Sequence, residues 1–81
     1  MIMVDVLVPI LDRIYDFELD EERPVGELLG EMLSVIEERE GMQFSQKEAL
    51  QLYFFRGEGI LRKNANMEGQ GVKSGDRLIL I

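Results

Sequence analysis

Cysteine, histidine, tryptophan and threonine are all missing from the chain. Without cysteine there can be no disulfide framework, thiol nucleophile or thiolate metal site, and a reducing compartment, the cytoplasm, is the expected location. Without histidine, and with serine confined to Ser34, Ser45 and Ser74, the common nucleophile and base triads and imidazole proton shuttles cannot be assembled. Carboxylates remain, but in 81 residues a ligand-sized concave site would hollow out much of the core. The composition therefore predicts no catalytic residue, no cofactor and no metal centre.

Basic residues are also few. Nine Lys and Arg against sixteen Asp and Glu leave a formal charge of -7, which repels phosphate backbones and favours partners that present Lys or Arg. Nucleic acid is not an expected ligand. Long apolar runs are missing too: Val6–Leu11 falls far below the ~20 apolar residues that span a bilayer. The apolar opening "MIMVDVLVPILDRIY" is broken by Asp5 and has neither a basic start nor a small-residue cleavage site, so no signal peptide and no membrane insertion are predicted.

What is present is 46% hydrophobic content spread along the whole sequence, enough for one folded domain over residues 1–81. Ile2, Val4, Val6 and Val8 alternate with Met3, Asp5 and Leu7, the period of a strand. After the short turn "PILDR", Tyr15, Phe17 and Leu19 face one way and Asp16, Glu18 and Asp20 the other, predicting a second strand. Val25, Leu28, Leu29, Met32 and Ile36 then recur at helical spacing, with Pro24 fitting the first turn and Gly41 the stop. "LQLYFF" reads as a third strand with Leu50, Leu52 and Phe54 inward and Tyr53 and Phe55 outward, although so apolar a run would also accept the register that exposes Phe54. "RGEG" reads as a turn, "ILRK" as a short fourth strand, and "NANMEGQGVKSGD" as an irregular crossing anchored by Val72 and Met67. Arg77–Ile81 closes the chain as a strand with Leu78 and Leu80 on its inner side.

Two strands, one amphipathic helix and further strands make an α+β domain in which a single helix packs across a mixed sheet of four to five strands. A split βαβ fold would need a second helix, and Asn64–Val72, with glycines at 69 and 71, cannot supply one. The β-grasp arrangement is the expected fold.

Three constellations read more simply as structure than as sites. Asp16, Glu18 and Asp20 sit at strand spacing over about 13 Å, too far apart to share one cation. "RGEG" and "EGQG" match no phosphate-binding fingerprint. Gly26 and Gly30, four apart on the helix, form either a flat strip for a partner or a surface packed on the domain's own loops; the second is expected.

"YFFRGEGIL" resembles the strand, glycine turn and short strand that follow the helix in ubiquitin-like proteins, and "NMEGQGVKSGDRLILI" resembles their anchored loop and closing strand. The ending "GVKSGDRLILI" is similar to the "GI..GD.L.I" close of the small YukD/EsaB proteins associated with type VII (WXG100) secretion in Gram-positive bacteria. The resemblance implies a ubiquitin-like fold and an accessory role in a secretion machine, with protein partners and no catalytic residue. It also implies that the outer sheet face binds. Conjugation and sulfur transfer need a slender glycine tail, whereas this chain closes on Leu80 and Ile81, so the domain is expected to act through its faces.

On that face Tyr53, Phe55, Ile79 and Ile81 are the expected contact residues, with Arg56 and Arg77 near the rim. The partner is expected to be a protein with a basic or apolar surface. The alternatives are a modifier or sulfur carrier lacking its tail, and a homo-oligomeric structural protein that pairs the same face with itself.

Overall fold

The computed structural model describes residues 1–81. Strands β1 (Ile2–Val8) and β2 (Arg13–Leu19), helix α1 (Val25–Glu40), and strands β3 (Leu52–Phe54), β4 (Gly59–Ile60) and β5 (Arg77–Leu80) follow in that order. The sheet has five strands in the order β2-β1-β5-β3-β4. The β1–β5 pair is parallel and the other three are antiparallel. One helix across a mixed sheet is the expected β-grasp.

The alternation in β1 buries Val4, Val6 and Val8 against Leu28, Leu29, Met32, Leu33 and Ile36 of α1 in a single core. Each such apolar side chain removed from water contributes roughly 1.5–3 kcal/mol before the entropy of ordering is subtracted. The β1–β2 connection is a 3-10 turn at Pro9–Leu11 closed by Asp12 in the left-handed region. Helix α1 has no side chain capping its start. Instead the Val25 N–H donates to the Ala65 carbonyl and the Gly26 N–H to the Lys63 carbonyl, both at 2.9 Å, so the crossing loop satisfies two otherwise orphaned donors. Gly41 ends the helix at φ 65°.

Three strands are shorter than their sequence predicts, β5 only by ending at Leu80 instead of Ile81. "LQLYFF" narrows to Leu52–Phe54, because a 3-10 turn at Lys47–Ala49 leads directly into Leu50 and a turn begins at Phe55. "ILRK" narrows to Gly59–Ile60: Leu61 turns into the core, and the Arg62 N–H donates to the Gln70 side-chain oxygen at 2.8 Å. The registers of β3 and β5 agree with alternation. Leu52, Phe54, Leu78 and Leu80 are buried, and Phe55 is exposed. Both expected anchors of the crossing hold, and Met67 is wholly buried. No helix is long and apolar enough to cross a membrane.

Candidate protein-binding face

With Val4, Val6 and Val8 inside, Met3, Asp5 and Leu7 must lie on the outer face of the sheet. Strand register then decides which outer residues become neighbours. Leu7 pairs with Ile14 on one side and with Ile79 on the other, Ile79 pairs with Tyr53, and Tyr53 pairs with Ile60. Ile14, Leu7, Ile79, Tyr53 and Ile60 therefore form one apolar row that crosses all five strands. Its ends are open, Ile14 at 50% and Ile60 at 49% exposure, while its three central members are half-buried.

A second row runs beside it. Asp16 faces Asp5 across β1–β2, Asp5 pairs with Arg77, and the Phe55 N–H donates to the Arg77 carbonyl at 3.2 Å. This row is acidic at the β2 end and aromatic at the β3 end. Two carboxylates directly opposite each other destabilise a ladder. Arg77 offsets one of them, reaching Asp5 at 3.5 Å. The Asp5 carboxyl titrates below its usual range, chiefly through its hydrogen bond with Asp16 and then through Arg77, and Asp16 titrates above it, chiefly through the same hydrogen bond.

Tyr53 and Ile79 thus stand at the centre of the face, and Phe55 and Arg77 in the adjoining row. Ile81 extends it at the far end of β5, where its N–H and C=O each bond Gln51 at 2.9 Å. Arg56 lies elsewhere. Its guanidinium sits 5.1 Å from the centre of the Phe54 ring, a residue of the core side, and is held by Asp76. Leu7, Ile14 and Ile60 were not among the expected contacts. Alternation marks them as outward, but only strand pairing lines them up.

A groove of about 430 Å³ lies at the end of the sheet and shares only Ile81 with the face. Pro9, Ile10, Met42, Phe44, Leu50 and Ile81 supply most of its lining. No sequence signal marks it, since the β1–β2 turn, the connection from α1 to β3 and the end of β5 build it together.

A family model described as the WXG100 protein secretion system (Wss) protein YukD matches residues 2–80. The chain belongs to the YukD family. Its match covers all of the elements that build the apolar row, so the face is part of the YukD domain and not an appendage. A search of curated proteins finds no match. Among solved structures, a ubiquitin of Caldiarchaeum subterraneum is similar at TM-score 0.76 and 15% identity, over 99% of this chain and 90% of that one. The ubiquitin-like domain of an Arabidopsis thaliana protein is similar at TM-score 0.73 and 19% identity, over 99% of this chain and 74% of that one. At such identities the likeness establishes the ubiquitin-like fold, and the family match establishes the association with a secretion system.

Proposed function

We propose that this YukD-family domain is a cytoplasmic interaction module that binds a protein component of the WXG100 secretion system through the outer face of its sheet, without catalysis and without conjugation. The observation that carries this reading is the apolar row from Ile14 to Ile60, bordered by Arg77 and Phe55. A contiguous apolar stripe with aromatic and Arg neighbours has the composition of an interface core. Tyr53 and Ile79 are the central anchors, with Leu7 beside them. Phe55, Arg77 and Ile81 border them, and Arg56 is assigned to the fold and not to the contact.

Co-expression with tagged components of the secretion apparatus tests the reading. Ile79→Ala and Arg77→Glu are expected to lower co-purification with one of them, while folding is checked by circular dichroism. Unchanged recovery of every partner removes the face from consideration. Sedimentation over a concentration series separates this reading from self-pairing, which requires dimers that Ile79→Ala dissolves.

A further inference from the structure

The outer face carries charge as well as apolar surface, and the charge is lopsided. Asp5, Asp16 and Glu18 share it with a single cation of the strands, Arg77. Arg77 bonds Asp5, and neither Asp16 nor Glu18 enters a salt bridge anywhere in the molecule. A second copy of this chain laid on the face would bring a net charge of -7 against a net charge of -7 and offer these carboxylates no cation of the strands beyond its own Arg77. The face is therefore built against self-pairing and for a cationic partner.

Backbone satisfaction narrows the partner's form. The three inner strands β1, β5 and β3 are each paired on both sides, so the face offers no free ladder of donors and acceptors. An extended peptide lying on it would leave its own N–H and C=O groups unmatched, whereas a helix brings them already bonded. Four gaps of about 4.8 Å between five strands give the row a width of about 19 Å. A helix of about 13 residues matches that width.

We propose that the occupant of this face is an amphipathic helix of a partner protein, with an apolar stripe on the row from Ile14 to Ile60 and Lys or Arg side chains over Asp16, Glu18 and Asp5. The proposal rests on the reading that the outer sheet face is the contact surface. Binding relieves the repulsion between Asp5 and Asp16, which the free protein retains. The same carboxylate thus weakens the free fold and strengthens the complex.

The test uses two designed helical peptides with identical Leu stripes, one bearing Lys along one flank and the other Glu at the same positions. The full chain, labelled for NMR, is titrated with each. The Lys peptide is expected to give saturable shifts at Leu7, Ile14, Asp16, Tyr53 and Ile79, and to bind about tenfold more tightly than the Glu peptide. Combining Asp16→Lys with Glu18→Lys is expected to erase that preference, and Asp16→Asn to weaken the Lys peptide about twofold to fivefold while raising the melting temperature of the free protein. A purely structural role for Asp16 would move the melting temperature alone.

Equal affinity for both peptides, shifts confined to the groove at Phe44 and Ile10, or no saturable shift with the Lys peptide each overturns the proposal. Ile14→Ser and Ile60→Ser, both at half-exposed positions, separate the two levels. If they abolish binding of the co-expressed partner while Asp16→Lys with Glu18→Lys leaves it unchanged, the face stands and the basic helix falls. If neither set changes partner binding, both fall.

Discussion

Arg56 holds Asp76 by two parallel hydrogen bonds, Nε to Oδ1 at 2.8 Å and Nη2 to Oδ2 at 2.9 Å. The same carboxylate accepts the Lys73 N–H at 2.7 Å, and the Asp76 carbonyl accepts the Asp5 N–H at 3.0 Å. One side-chain pair thereby joins the turn after β3, the crossing into β5 and the first rung toward β1. Asp76→Ala leaves Arg56 without its carboxylate and the Lys73 N–H without its acceptor, at an expected cost of about 1–3 kcal/mol by urea denaturation. Asp76→Asn keeps an acceptor and should lose less. Equal stability of wild type and the alanine variant would contradict this role.

Acid should expose the same dependence. Arg56 first, then the Lys73 N–H, hold the Asp76 carboxyl below its usual range, and Lys47 with the Phe44 N–H does the same for Glu37. A carboxylate whose value is depressed on folding contributes stability above its unfolded value, and that contribution disappears as the pH falls through the folded one. Urea midpoints should therefore be flat near neutrality and fall below about pH 4. The fall should be shallower in Asp76→Asn.

Asp16 has the opposite sign. Its folded value is raised by the hydrogen bond with Asp5, so the protonated form favours folding and stability is lost as pH rises through that value. At pH 7 the Asp16→Asn melting temperature should exceed that of wild type, whereas Asp5→Asn, which also gives up Arg77, should show no such gain.

The two helix glycines should part company. A Cβ at Gly26 would lie 3.3 Å from the Lys63 carbonyl oxygen and 3.4 Å from the Lys63 Cβ, whereas one at Gly30 meets nothing within 4 Å. The expected packing against the domain's own loops accounts for Gly26 alone. Gly30→Ala should stabilise the protein by roughly 0.5–1 kcal/mol through helix propensity, and Gly26→Ala should gain little or lose. Chemical denaturation of both variants checks the contrast.

Met67 is wholly buried beneath the crossing between β4 and β5, and the Val72 N–H donates to its carbonyl at 3.1 Å. Met67→Ala should cost about 2–5 kcal/mol as a cavity opens. Met67→Leu should restore most of that loss in thermal denaturation.

Much of the fold is legible in the residues because burial has a period. The valines of β1, the helical spacing from Val25 to Ile36, and the stop at Gly41 each follow from local geometry. Strand lengths in the second half do not. Leu50, Phe55 and Leu61 are apolar whether or not they lie in a ladder, and it is the turns on either side that end β3 and β4. "RGEG" shows the same limit: Glu58, not a glycine, takes the left-handed conformation, while Gly57 is needed because a Cβ there would come within 2.6 Å of the Phe54 ring.

The candidate site divides along the same line. Ile79 and Ile81 can be placed outward by counting in twos along their own strand, whereas Tyr53 and Phe55 lie in so apolar a run that burial of Leu52 and Phe54 decides their sense. Arg56 follows Phe55 in the sequence, yet the turn returns its guanidinium to the core-side ring of Phe54 and to Asp76.

The sequence by itself determined the element order, most of the core side chains and the outward sense of the residues in β1, β2 and β5, because these depend only on the period of burial along the chain; the sense of β3 and the burial of Leu33 and Leu61 came from the packing. Tertiary structure alone decided that Ile14, Leu7, Ile79, Tyr53 and Ile60 stand in line and that Asp5 confronts Asp16. Register is a relation between segments up to the length of the chain apart, and it is settled by pairing and by the fit of the helix, not by any stretch read alone.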